Sequence, residues 1–401
     1  MNDRDIVSSV KVSKITSDIS KGSLSLHGNQ QNYTNFGNPE ETANSHRMGN
    51  HTDSNVGRIT NSRQAIGKTG NDVLSGETNP QTVVLLLTYL RSGSTLTADI
   101  IQQVPGVFYA YEPLKRYVAN DTGYLSLDGI CSMNNLTCRQ PVLLSELPQA
   151  FVEDIVRYYG CDLQHLTGNF LWSQSSSSVK QYKDCIRATT QLKADSQFCL
   201  NQCVRSTRYL KTIRLSMDVV EILMKIIPKL KVVHLLRDPR GMIYSRKRGG
   251  FVKKWMSMTT VAQSVCRRFE RDIEIAAKLR RIYPGRLKTY LYEQIAEHPK
   301  IASTSLFKFL SLTAPSDFDA WLHHHTAAGL QGHYYGTVRP NSTVTANNWR
   351  LRMPYSEVRE IDNECSKFYN YTGILKAEYE HLLRDLTLQL RIPSPEFGDF
   401  L

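Results

Sequence analysis

The rhythm of polar and apolar residues changes sharply near position 82. Over residues 1–80, Ser, Asn, Thr, Gly and charged residues predominate, and apolar residues occur singly. Such a stretch buries too little surface to offset the entropy of ordering it, so it is expected to be a disordered polar stem. Val83–Leu87 then reads Val-Val-Leu-Leu-Leu, a continuous apolar run suited to a parallel strand covered on both faces. A helix is expected over residues 96–103, Pro105-Gly106 breaks it, and Val107–Tyr111 forms a second strand ending at Glu112-Pro113. Strand, loop, helix and strand within about 30 residues make a βαβ unit, whose crossover should be right-handed.

Residues 114–210 carry mixed periodicity and support no detailed assignment. Beyond them Met217, Val220, Leu223, Met224 and Ile227 share one helical face, and Pro228 stops that helix. Residues 231–236, Lys-Val-Val-His-Leu-Leu, form another buried strand that delivers Arg237-Asp238-Pro239-Arg240 at its carboxyl end. Met258, Val261, Val265, Phe269, Ile273, Ala276 and Leu279 mark one stripe of a long amphipathic helix. Pro284-Gly285 closes it, residues 287–292 look like a further strand, and the last third is mainly helical. Strands alternating with helices predict an α/β three-layer sandwich around a central parallel sheet, spanning residues 81–392, with residues 393–401 as a tail. No internal repeat is present.

Apolar residues make up 41% of the 401, enough for a sizeable core, and the formal net charge is +12. A basic surface attracts polyanions, but charge alone does not choose among nucleic acid, membrane and acidic polysaccharide. Six of the eight cysteines fall within residues 131–203, without the paired C-x2-C spacing of a zinc site. Disulfides in an oxidising compartment fit better, with connectivity left open. Sequons at Asn32, Asn50, Asn120, Asn135, Asn341 and Asn370 agree with passage through the secretory route. The first 80 residues nevertheless hold no signal-peptide core or membrane-spanning run, so either export is unconventional or, the preferred expectation, an anchor lies upstream of this sequence. Gly67-Lys68-Thr69 looks like the end of a Walker A motif, but Ser62 occupies the place of its first glycine.

Two segments carry candidate chemistry. Arg91-Ser92-Gly93-Ser94-Thr95 joins a buried strand to a helix amino-terminus, where unpaired backbone N–H groups and the helix dipole favour an anion. Gly93 permits close backbone approach, the hydroxyls are donors, and Arg91 supplies fixed charge. A bare helix cap by Ser94 or Thr95 is the plainer alternative. Arg237-Asp238-Pro239-Arg240, with Ser245 following, sits at a second strand end, where open α/β sheets bind ligands. Arg237 can grip a phosphate bidentately. Two anion sites on neighbouring strand ends suit a ligand bearing phosphates at 5′ and 3′ positions.

With these residues the chain resembles the sulfotransferase superfamily, and within it the Golgi carbohydrate sulfotransferases that modify the 6-position of N-acetylglucosamine, galactose or N-acetylgalactosamine. Arg91–Thr95, continuing through Leu96 to Thr97, is similar to that family's 5′-phosphosulfate loop. The run from Arg237, Asp238, Pro239 and Arg240 to Ser245 is similar to its 3′-phosphate segment. Phe108 to Leu114, Lys211 to Leu215, Tyr290 to Ile295 and Asn348-Trp349-Arg350 resemble further family segments, over about residues 82–375 in all. Leu291 and Gln294 depart from the usual Arg and Asp. The resemblance implies a sulfotransferase/NTPase-like fold with a P-loop-like strand–loop–helix, and 3′-phosphoadenylyl sulfate as donor without a metal. It also implies a glycan or glycosaminoglycan acceptor and in-line displacement in the Golgi lumen of a type II membrane protein. Arg91 would stabilise the leaving phosphate oxygen, Arg237 and Ser245 would hold the 3′-phosphate, and Glu112 would be the general base. Nucleic acid is not an expected partner, and membrane contact is expected only through the amino-terminal anchor. A surface carboxylate at a turn is the alternative for Glu112, and a structural partner the reading for Glu293. The basic cluster Arg246, Lys247, Arg248, Lys253 and Lys254 is either an acceptor surface or a solvated face. Two rivals to the transfer reaction are a nucleotide phosphotransferase and a lectin-like polysaccharide binder.

Overall fold

Side by side at the centre of the molecule lie the two most apolar runs, β1 (Val83–Leu87) and β7 (Leu230–Leu236), paired in parallel with Leu85 opposite Val232. A computed structural model describes residues 82–392 apart from 119, 120, 136, 168, 169, 172–175, 193–196, 331, 334 and 335. The expected stem and tail, the Gly67–Thr69 segment and the sequons at Asn32, Asn50 and Asn120 therefore lie outside the described residues.

The main sheet has five parallel strands in the order β2 (Val107–Tyr111), β6 (Thr207–Thr212), β1, β7 and β8 (Leu287–Leu291). β1 shows why a continuous apolar run was needed. Val83, Leu85 and Leu87 face a core with Phe151, Ile155, Val220 and Leu223, whereas Val84 and Leu86 face Ile100, Ile101, Leu306 and Phe307 on the other side. Helices thus cover both faces, giving the three-layer α/β sandwich. β6 separates β1 from β2, in a segment whose mixed periodicity predicts no element. The helix after β1 runs Ser94–Gln102, two residues ahead of expectation, and Tyr292 begins a helix instead of ending β8.

A small antiparallel sheet of β3 (Gly123–Ser126), β4 (Gly129–Ser132) and β5 (Cys138–Arg139) follows β2 and is stapled by Cys131–Cys138. The other disulfides are Cys161–Cys203, Cys185–Cys199 and Cys266–Cys365, so every cysteine is paired. The last joins the long helix Met258–Ile282 to the carboxyl end of the helix Tyr355–Glu364. No helix among the described residues is long and apolar enough to cross a membrane.

Candidate active site

Because β1 and β7 are parallel neighbours, both arginine-bearing segments emerge at the same edge of the sheet. After β1 the chain turns tightly, with Arg91 at φ 68° and Gly93 at φ 80°, before the helix begins at Ser94. A Cβ on Gly93 would stand 2.0 Å from the Tyr292 ring, so the turn requires glycine for space as well as for conformation. Ser92 is fully buried; its hydroxyl donates to Tyr89 O at 2.7 Å and also contacts Thr88 Oγ1.

The two segments interlock. Arg91 Nε donates to Ser245 Oγ at 2.9 Å, and Arg237 Nη1 donates to the Arg91 carbonyl at 2.9 Å. The Arg237 guanidinium lies 4.5 Å from the centre of the Tyr292 ring, a cation–π contact. Around this junction is a cavity of about 310 Å³, bordered by Arg91, Gly93, Ser94, Thr95, Leu96, Arg237 and Ser245 from the two expected segments. Thr337, Arg339, Ser342 and Thr345 form another wall with Trp349, and Tyr244 and Arg248 extend the α-helical side. Four arginines therefore border one cavity. Arg339 and Thr337 were missed from sequence because no local motif marks a residue whose partner strand ends more than 200 positions earlier. Thr337 is held to the first helix by its hydroxyl, which donates to Asp99 Oδ2 at 3.0 Å.

Other residues expected to bind the donor turn their side chains inward in this structure. Arg240 is fully buried. Its guanidinium pairs with Asp238 at 2.8 Å and Asp362 at 3.2 Å, donates to Leu375 O, and lies against the Trp349 and Tyr369 rings. Those carboxylates hold it firmly protonated despite its burial. Asp238 caps the helix Pro239–Arg248 by accepting from Arg240 N at 2.9 Å, and Pro239 takes the first helical position. The Thr97 side chain is buried against Gly93 O. These side chains build the site's scaffold and do not border the cavity.

Glu112 stands on the same sheet edge, one strand beyond β6, outside the cavity lining. Its Oε1 accepts from Lys211 Nζ at 2.6 Å, and its Oε2 accepts from Ile213 N at 3.2 Å. The pair is buried, so it is not the surface carboxylate of the alternative reading. Glu293 is also buried; Oε1 accepts from Asp238 N at 3.2 Å and lies 3.8 Å from Arg237 Nε. Burial pushes it up to about 7, with Arg237 pulling the other way.

Of the basic cluster, Arg246 is buried on the Leu90 and Met133 carbonyls and Lys247 pairs with Glu357 at 2.6 Å. Arg248, Lys253 and Lys254 are exposed. Gln294, one of the two departures, accepts from Leu291 N at 3.1 Å and closes the turn into its helix.

A family model described as "Sulfotransferase family" matches residues 84–316. Carbohydrate sulfotransferase 1 of Mus musculus is 26% identical over 368 residues, covering 80% of this chain and 86% of that protein. Carbohydrate sulfotransferase 6 of Homo sapiens is 25% identical over 355 residues, covering 77% and 85%. Among solved structures, the sulfotransferase domain of the Synechococcus PCC 7002 olefin synthase aligns at TM-score 0.38 and 17% identity, covering 72% of this chain and 95% of that one. Mouse sulfotransferase SULT7A1 complexed with PAP aligns at 0.38 and 10%, covering 76% and 89%.

Proposed function

The chain belongs to the sulfotransferase family, and from that premise we propose that it moves a sulfuryl group from 3′-phosphoadenylyl sulfate to a carbohydrate hydroxyl. The acceptor hydroxyl is the 6-position of N-acetylglucosamine, galactose or N-acetylgalactosamine in a glycan or glycosaminoglycan. The meeting of Arg91, Ser245 and Arg237 at one cavity carries the donor half of this reading. The relatives named carbohydrate sulfotransferases support the acceptor half.

In the reaction the acceptor oxygen forms a bond to sulfur as the bond from sulfur to the bridging 5′-phosphate oxygen breaks. That oxygen keeps the electron pair, and adenosine 3′,5′-bisphosphate leaves. The helix amino-terminus at Ser94 and Thr95 receives the 5′-phosphosulfate, and Arg91 offsets charge growing on the leaving oxygen. Arg237 and Ser245 hold the 3′-phosphate, while Arg248 and Arg339 add positive charge to a donor bearing several negative ones. Glu112 takes the hydroxyl proton, its carboxylate aimed by Lys211 and the Ile213 amide. Like phosphoryl transfer, such a reaction gains from positioning and fixed charge, with little covalent chemistry asked of the protein. The four disulfides fit an oxidising compartment, the Golgi lumen of an anchored type II protein.

Incubation with donor labelled in its sulfate and a panel of desulfated glycans tests the reading. Label is expected on one sugar position. Tight binding of adenosine 3′,5′-bisphosphate with no transfer to any glycan would overturn the carbohydrate assignment, and preferential stabilisation by ATP–magnesium would overturn the donor.

A further inference from the structure

Behind the donor cavity lies a carboxylate that the reaction does not use. Glu293 lies in the first turn of the helix that Tyr292 begins and is only 8% exposed. Its Oε1 is shared between the Asp238 amide and the Arg237 side chain. Among the described residues its Oε2 has no hydrogen-bond partner, nor has Arg237 Nε. Glu293 borders a second cavity, of about 260 Å³, also lined by Glu297, His298, Asn347, Arg350 and Arg391. It does not border the donor cavity, whereas Trp349 borders both. Arg237 is thus held from three directions: the Arg91 carbonyl, the Tyr292 ring and the Glu293 carboxylate.

We propose that Glu293 is the positioning residue of the 3′-phosphate site: it aims Arg237 while the donor is absent and takes up a proton as the donor's phosphate arrives. The inference rests on the assignment of the 3′-phosphate to Arg237. A phosphate on that guanidinium brings a second anion beside a carboxylate already deprived of water. Two anions sharing one cation in a dry site raise each other's affinity for a proton. Burial has already raised Glu293 close to neutrality, so the added repulsion is relieved by one proton exchanged through the second cavity. The other charges around it are accounted for. Arg237 and Arg391 favour the ionised form and Asp238 opposes it. Glu297 is engaged with Arg391 at 3.0 Å, and the Arg350 guanidinium is spent on the Leu383, Asp385 and Leu388 carbonyls. His298 caps the helix end on the same cavity. The neutral acid keeps Oε1 as an acceptor for the Asp238 amide, so the backbone stays in place while Arg237 is released to the phosphate.

Calorimetric titration of the full chain with adenosine 3′,5′-bisphosphate, from pH 6 to 8.5 in buffers of different ionisation heat, tests this. Wild type is expected to take up part of a proton on binding at pH 7–8. Glu293→Gln, neutral at every pH, should lose that uptake. It should bind about as tightly as wild type at pH 6 and up to about tenfold more tightly at pH 8, the equivalent of one pKa unit. Ionisation of the phosphate itself, near pH 6, affects both proteins alike and cancels in the comparison. Glu293→Asp, which keeps the charge but withdraws it from Arg237, should show a smaller proton uptake and a pH profile between those of wild type and Glu293→Gln. That guards against reading a folding defect as a binding one, as do melting temperatures without ligand. Unchanged proton uptake and an unchanged pH profile in Glu293→Gln would overturn this inference alone. Failure of wild type to bind the bisphosphate at any pH would overturn the Arg237 assignment and the inference with it.

Discussion

Gly93→Ala should damage donor binding out of proportion to its effect on folding. Two penalties act at that position. At φ 80° an alanine sits in the left-handed region, which costs about 1–2 kcal/mol for a residue with a Cβ. The new Cβ would also stand 2.0 Å from Tyr292 Cδ2. Carbon atoms rest about 3.5–4.0 Å apart, so the ring must retreat by roughly 1.5 Å. Forced repacking of that kind costs about 1–3 kcal/mol. The Arg237 guanidinium lies 4.5 Å from that ring, so the retreat displaces the cation proposed to grip the donor. A misplacement of about 1 Å at a reacting site can cost about 10²-fold in rate. Gly106→Ala is the control: φ is 71° there, but nothing lies within 4 Å of the new Cβ. It isolates backbone strain from the clash. At about 2–4 °C per kcal/mol, Gly106→Ala should lower Tm by a few degrees and Gly93→Ala by roughly 4–20 °C. In scanning fluorimetry, adenosine 3′,5′-bisphosphate should still raise the Tm of Gly106→Ala but not that of Gly93→Ala. A Gly93→Ala protein that binds the bisphosphate with wild-type Kd would refute the packing argument.

Arg240→Ala should act on folding instead: removing one member of a buried ion pair costs about 3–5 kcal/mol, because Asp238 and Asp362 are left without their partner. Urea titration should show that loss, and a large rise in donor Kd at unchanged stability would contradict it. Replacing both Cys266 and Cys365 with serine frees a closure spanning 99 positions, worth about 4–5 kcal/mol on a loop-entropy account, and the urea midpoint should fall accordingly. His234 is buried as the neutral ring and held down to about 3 by desolvation, with Arg280 and Arg268 adding repulsion. The unfolded chain binds a proton there below about pH 6.5 and the folded protein does not until about pH 3, so stability falls as pH drops through that window, by up to about 1.4 kcal/mol per pH unit. His234→Gln should flatten that part of the stability profile measured in urea, and an unchanged slope would count against the assignment.

What could be read from the sequence follows from where each element draws its contacts. β1 and β7 announced themselves because both faces of a central parallel strand meet apolar neighbours, which forces an unbroken apolar run in β1 and a run broken only by Lys231 and His234 in β7. β6 sits between two other strands yet reads Thr-Arg-Tyr-Leu-Lys-Thr, because Lys211 is neutralised by Glu112 at the sheet edge and Arg208 is only partly covered. No pattern within β6 can register a carboxylate 99 positions away. The same limit governs the site. Sequence located the turns at Arg91 and Arg237, since the chemistry of a strand end followed by a helix is local. It could not say which way each side chain turns. Arg237 and Arg240 are three residues apart in one segment, yet the first borders the cavity and the second is drawn inside by Asp362. Arg339 reaches the cavity only because the chain returns across it after the last strand. A segment that resembles a binding motif therefore fixes where the backbone presents a ligand edge, and about half of its side chains serve to hold that edge in place. The division is physical: Ser92, Asp238 and Arg240 find partners inside the protein, whereas Arg91, Arg237 and Ser245 border the cavity proposed for the donor.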